Sequence, residues 1–123
     1  MILVDTSVWV DHLRFHVERL AALLDDEQVL MHPFIFGELA LGNFRRRGLA
    51  LRALSRLPAA LVARGREVLR LIDKHHLFGS GIGYVDAHLL ASARLTVDAK
   101  LWTRDRRLSG VAGRMGLAAN LPH

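Results

Sequence analysis

The sequence predicts an α/β fold built on a parallel sheet, and three observations carry that expectation. Ile2-Leu3-Val4, Val29-Leu30-Met31 and the stretch around Leu101-Trp102 are short apolar runs, as strands buried on both faces require. Stretches of helical periodicity separate them, as βαβ crossovers demand. Acids follow the first and last of these runs, Asp5 and Asp105, and the carboxyl ends of parallel strands are where open α/β sheets bind ligands.

Taken in order, the first strand stops at Asp5, and Thr6 or Ser7 can cap a helix that starts with Val8 and Trp9. The competing reading of Asp5 is a helix cap and nothing more. Trp9, Leu13 and the stretch from Val17 to Leu24 read as helix, with Leu20, Leu23 and Leu24 on one buried face. His12 and His16 lie four apart, but no acid or Cys follows at zinc-site spacing, so they read as surface histidines. Asp25-Asp26-Glu27 is a solvated turn, Val29-Leu30-Met31 the second strand, and His32-Pro33 its end.

Pro33 suits the first turn of the next helix, from Phe34 to Gly42. That helix is apolar nearly all round and is expected to be largely buried. Glu38 is its only charge; buried, it must be neutralised, pair with an Arg or bind a metal. From Leu39 to Arg66 there is no acid but seven arginines, Arg45, Arg46, Arg47, Arg52, Arg56, Arg64 and Arg66. Leu49, Leu51, Leu54 and Leu57 give this stretch an amphipathic helix ended by Pro58. Its basic face is either simply solvated or a nucleic-acid surface, and the missing counter-charges favour the second.

Leu61-Val62 reads as a very short strand, and Glu67 to Leu77 as a helix. Phe78 to Gly83 is a glycine-rich turn without the lysine of a phosphate-binding loop. Tyr84 opens a helix with Val85, Leu89, Leu90 and Ala93 inward and Asp86 in its first turn, where an acid also complements the helix dipole. Asp98 is a turn residue before the strand Lys100 to Thr103. Leu108, Val111 and Met115 line a last helix, and Leu117 to Leu121 is a closing edge strand.

A chain of 123 residues makes one domain, 1–123, with one modest core. It contains no cysteine, which excludes a disulfide framework and thiolate chemistry and is compatible with a reducing cytoplasm. The first apolar run is too short to span a membrane and no basic stretch precedes it, so a cytoplasmic protein is expected. The net charge is +5, and all of the 17 basic residues except Lys74 and Lys100 are Arg. The planar guanidinium fork donates two parallel hydrogen bonds to phosphate, which points to a polyanionic partner.

Asp5, Glu38, Asp86 and Asp105 can all meet at one sheet edge. A site made only of carboxylates selects a hard cation, Mg²⁺ or Mn²⁺. Two like charges about 4 Å apart repel by roughly 4 kcal/mol at an effective dielectric near 20, so the four need a cation or shifted pKa values. On a basic protein this fits phosphodiester hydrolysis, with a metal-activated water as nucleophile. Ser7 and Thr103 can orient the acids or a metal-bound water from behind.

Asp5-Thr6-Ser7 after the starting strand, Glu38 in the apolar helix, Asp86-Ala87 opening an Ala-rich helix, and Leu101 to Leu108 together resemble a PIN domain, and more narrowly a VapC-type toxin of a bacterial toxin–antitoxin pair. The resemblance covers nearly the whole chain. It implies a three-layer α/β/α sandwich around a mostly parallel sheet of four to five strands. It also implies a Mg²⁺- or Mn²⁺-dependent endoribonuclease acting on tRNA or rRNA, a homodimer, and a VapB-type antitoxin. Asp5, Glu38, Asp86 and Asp105 become the acidic quartet, with Thr6 and Thr103 at polar positions beside it. RNA contacts are expected at Arg45, Arg46, Arg47, Arg52 and Arg104.

Two other readings compete. A haloacid-dehalogenase-like phosphatase also starts with a strand ending in Asp, but needs a second Asp where this chain has Ser7. A PIN-like module that binds RNA or a partner without cutting has no use for four converging acids beside a phosphate backbone.

Overall fold

In a computed structural model that describes residues 1–121, the chain forms three strands and seven helices. The order is β1 (Ile2–Val4), α1 (Thr6–Phe15), α2 (Glu18–Asp25), β2 (Val29–Leu30), α3 (Pro33–Ala40), α4 (Arg47–Leu54), α5 (Gly65–Lys74), α6 (Tyr84–Leu95), β3 (Lys100–Trp102) and α7 (Arg106–Arg114). The sheet has the order β2-β1-β3 and is parallel throughout. Leu3 faces Leu30 on one side and Leu101 on the other, and Val4 faces Trp102.

The sheet has fewer strands than the four to five expected, for a local reason. On the β2 side Met31 bridges Ala59, donating to the Pro58 carbonyl and accepting from Ala60 N–H. On the β3 side Leu101 bridges Ala118 through the Leu117 carbonyl and Ala119 N–H. Each outer segment contributes one bridge and then turns away, so neither grows into a strand. The strand expected at Leu61-Val62 lies two residues earlier, at Ala59. Leu61 and Val62 are 58% and 51% exposed, and Leu61 N–H is taken by the Thr96 hydroxyl at 2.9 Å.

This order fixes the layers. The crossover from β1 to β2 runs one way along the sheet and the return toward β3 runs the other way. Right-handed crossovers place α1 and α2 on one face and the connection returning to β3 on the other; its first helices, α3 and α4, stay with α1, and its last, α5 and α6, form the second layer. The contacts agree: α1 packs on α3 and α3 on α4, while α5 packs on α6 and α6 on β3. The direction reverses at β1, so the carboxyl end of β1 is the topological switch point, where the two layers part and leave a crevice.

The core joins strand residues Leu3, Val4, Leu30 and Leu101 to Val8, Trp9, Leu20, Ile35, Leu89 and Leu108 from the helices. A smaller cluster, Ala63, Val68, Ala87 and Ala91, seals α5 to α6. α3 is less buried than its composition suggests. Ile35 and Leu39 face inward, but Leu41 is 90% exposed and Phe34 38%. α1 and α4 leave the outer side of this helix uncovered. The helix expected to continue toward Leu24 breaks at His16, which takes a left-handed φ of 61°, and the His12 Nδ1 accepts the Val17 N–H at 2.9 Å.

Candidate active site

β1 ends by driving Asp5 into the crevice. Its N–H is held by the Trp102 carbonyl of β3 at 2.9 Å, so the backbone at this acid is part of the sheet. Asp5 is buried. Although it occupies the N-cap position of α1, its side chain makes no capping bond, which removes the cap-only reading. Its Oδ2 instead accepts from the Ser7 hydroxyl at 2.9 Å and the Thr103 hydroxyl at 2.7 Å. Ser7 Oγ in turn accepts the Arg104 N–H at 3.0 Å, and Thr103 Oγ1 accepts the Asp105 N–H at 3.1 Å. The segment after β3 is thereby sewn to the segment after β1.

Asp105 is exposed and caps α7, its Oδ1 accepting the Leu108 N–H at 3.0 Å. Asp86 lies in the first turn of α6 and accepts the Gly83 N–H at 3.1 Å. Both acids also serve their helices, as capping positions predict. Capping alone would lower the pKa of Asp86, yet it is raised. Burial pushes its carboxyl above the usual range, the Gly83 N–H pulls it partly back, and Asp5 and Asp105 push it further up. The repulsion places the three carboxylates in one field. Glu38 is exposed on α3 in the opposite layer, accepts from the Thr6 hydroxyl at 3.3 Å, and is not among the charges that act on Asp86.

The glycine-rich turn helps to set this arrangement. Gly81 has a φ of 86°, and a Cβ there would stand 2.8 Å from Cδ of Arg107. Only glycine lets the approach to α6 nestle under a side chain of α7, which keeps Asp86 near Asp105.

Among the described residues no group of three acids or histidines is already drawn together to ligand distance. The donor set nevertheless suits a divalent cation. It offers carboxylate oxygens only, as a hard ion requires, and Asp86 carries the mutual repulsion that a cation between the acids would relieve.

The arginines separate into two kinds. Arg45, Arg46, Arg47 and Arg52 are exposed around the start of α4, Arg46 with a left-handed φ of 53°. The Arg47 guanidinium donates to the Ala40 carbonyl, and none of the four pairs with an acid among the described residues. Arg104 is different: its Nη1 meets Asp11 Oδ2 at 2.5 Å. Neither composition nor spacing signals that pair, whose members are 93 residues apart. His32 also escaped sequence reasoning. It is fully buried, its Nδ1 accepts the Phe34 N–H at 3.0 Å as cap of α3, and its Nε2 faces the Ser92 hydroxyl at 3.1 Å. Burial and the neighbouring His88 lower its pKa to about 4.

A family model for the PIN domain matches residues 2–114. The proteins named Ribonuclease VapC32 from two strains of Mycobacterium tuberculosis, CDC 1551 / Oshkosh and ATCC 25618 / H37Rv, are each 47% identical to this chain over 118 residues. The matches cover 96% of this chain and 95% of each relative. Among solved structures, FitAcB from Neisseria gonorrhoeae aligns with a TM-score of 0.61 over 92% of this chain and 94% of that one. At 22% identity that likeness speaks for the fold.

Proposed function

The chain belongs to the PIN-domain family, and from that premise we propose that it is the ribonuclease toxin of a toxin–antitoxin pair. Its reaction is hydrolysis of RNA phosphodiester bonds at the carboxyl end of β1. The observation that carries this reading is the hydroxyl cradle that holds Asp5 at the carboxyl end of β1, Ser7 and Thr103 both donating to its Oδ2, with Asp86 raised by burial and, to a lesser degree, by Asp5 and Asp105.

Asp5, Glu38, Asp86 and Asp105 would hold Mg²⁺ or Mn²⁺, which supplies charge neutralisation on phosphate oxygens and a water of lowered pKa. The rest falls to the chain. Ser7 and Thr103 fix the rotamer of Asp5 by donating to one oxygen, a support that ligating carboxylates need. Thr6 ties Glu38 of α3 to the head of α1 within one layer. Arg45, Arg46, Arg47 and Arg52 stand free of acids, ready to take backbone phosphates of a tRNA or rRNA substrate.

The partners follow the same reading. A groove between α1 and α3 is lined by Val10, Leu13, Leu39 and Phe44, with Arg14 and Glu38 also in its wall. It suits an apolar helix of a VapB-type antitoxin, whose Arg or acid would then reach the quartet. A homodimer fits the apolar surface left on Phe15 and Leu41, 76% and 90% exposed. Among the described residues no helix is long and apolar enough to cross a membrane, and we place the protein in the cytoplasm with its RNA.

The test is cleavage of total bacterial RNA by purified protein. Activity should vanish with EDTA, return with Mg²⁺ or Mn²⁺, and leave 5′-phosphate and 3′-hydroxyl ends. Cleavage in EDTA, or products ending in 2′,3′-cyclic phosphate, would overturn it.

A further inference from the structure

One cluster at the rim of the crevice takes no part in holding the acids. Phe34 of α3 and Tyr84 of α6, the only tyrosine of the chain, converge on His88 from the two layers. The Phe34 and His88 ring centroids are 4.9 Å apart at 70°, and those of Tyr84 and His88 are 4.8 Å apart at 86°. Behind Phe34 stands His32, its ring centroid 5.1 Å away. Both outer rings remain open to solvent, Phe34 at 38% and Tyr84 at 51%.

The rings sit beside the chemistry. Phe34 lies one turn before Glu38 on the same face of α3, and Tyr84 shares the first turn of α6 with Asp86, though on another face of the helix. Tyr84 touches no ring but His88 among the described residues and keeps a face for another ring; Phe34, flanked by His32 and His88, offers the part of its ring that remains exposed. His88 is only 7% exposed, and among the described residues its Nδ1 has no hydrogen-bond partner. A buried polar atom left alone is costly in a folded chain.

We propose that Phe34 and Tyr84, held edge-on by His88, form a stacking platform for one unpaired base of the RNA next to the cleaved bond. This deepens the ribonuclease reading and rests on it. A base stacked there leaves its sugar-phosphate at the acid edge, so the platform both positions the strand and selects the nucleotide. Stacking on aromatic side chains is how single-stranded RNA bases are commonly held.

The experiment compares the parent with Phe34→Leu, Tyr84→Leu and Tyr84→Phe. Leucine keeps apolar bulk without a π-face, and melting temperatures verify that each variant is folded. Cuts in total bacterial RNA are mapped by 5′-end sequencing, and kcat/KM is measured on a synthetic oligoribonucleotide spanning the strongest cut. Each Leu variant should keep metal-dependent cleavage but lose about 5- to 150-fold in kcat/KM, mainly through KM. The nucleotide preference beside the cut should flatten, and Tyr84→Phe should match the parent. An oligonucleotide abasic at that position should be a poor substrate for the parent and no worse for the Leu variants. Leu variants within twofold of the parent and with its preference would overturn the platform while leaving the ribonuclease reading intact. So would Leu variants whose only change is in oligomeric state, which would assign the rings to self-association. A parent that cuts no RNA removes the ribonuclease reading and the platform together.

Discussion

The hydroxyl of Thr103 donates to Oδ2 of Asp5 at 2.7 Å, joining residues 98 positions apart in the chain. Both are buried, and both stand at the carboxyl ends of neighbouring strands. Replacing the hydroxyl with a methyl tests whether this bond positions the acid. Thr103→Val should cost about 1–3 kcal/mol of stability and roughly 10- to 100-fold in RNA cleavage, while Thr103→Ser should restore most of both. Full cleavage by a folded Val variant would show that Ser7 alone suffices to hold Asp5.

Asp86 titrates above its usual range because of burial and of Asp5 and Asp105. A carboxyl raised in the folded state destabilises the fold once pH exceeds its ordinary pKa, and the penalty is relieved as pH falls. Asp86→Asn should therefore melt at or above the parent's temperature at pH 7 without metal, since its carbonyl can still accept from Gly83. Millimolar Mg²⁺ should raise the parent's melting temperature by mass action and raise the variant's far less. A large drop in the metal-free melting temperature of Asp86→Asn would make this acid chiefly a helix cap.

His32 gives the opposite slope. Its pKa of about 4 lies below the unfolded value of 6.5, so the unfolded chain binds a proton that the native chain refuses. Stability is complete above pH 6.5 and declines as pH falls toward 4, by a total on the order of 3 kcal/mol. His32→Asn keeps a cap acceptor for the Phe34 N–H but has nothing to titrate. Denaturant unfolding at pH 7 and pH 4.5 should show a smaller loss for this variant than for the parent. Equal losses would place the acid sensitivity elsewhere.

The exposed arginines make a salt prediction. Each phosphate contact to single-stranded RNA contributes a slope of about −0.7 in log K against log salt. Arg45→Gln, Arg46→Gln and Arg47→Gln together should flatten the slope by about 2, read by fluorescence anisotropy with an Asp5→Asn background to prevent cleavage. Arg104→Gln should flatten it less than any one of these, because Asp11 already occupies that guanidinium. An unchanged slope in the triple variant would route the RNA over another face.

The acids and the parallel strands were legible because each is announced locally: a buried apolar run, then a carboxylate or a helix start. The apolar stripes of α2, α6 and α7 follow from periodicity in the same way. What stayed illegible depends on packing between distant segments. The single bridge at Ala59 is set by Met31, and nothing at Leu61-Val62 says that its N–H will go to Thr96. α3 reads as buried from composition, yet the order β2-β1-β3 leaves its outer side uncovered. That Nη1 of Arg104 would pair with Asp11 could not be read from residues 93 positions apart. The hydroxyl support of Asp5 could be foreseen as residue types, Ser7 and Thr103, but not as a bonded network.

The strand order also governs when the protein can act. β1 is made before the other two strands, and β2 can join it early. β3, which completes the sheet at Asp5 and delivers Thr103, Arg104 and Asp105, is made almost a hundred residues later. At 5–20 residues per second, synthesis from β1 to β3 takes on the order of ten seconds, and until then the crevice lacks a wall. Until β3 joins, Asp5 lacks the Thr103 hydroxyl and the company of Asp105, so the acid edge exists only once both outer strands flank β1.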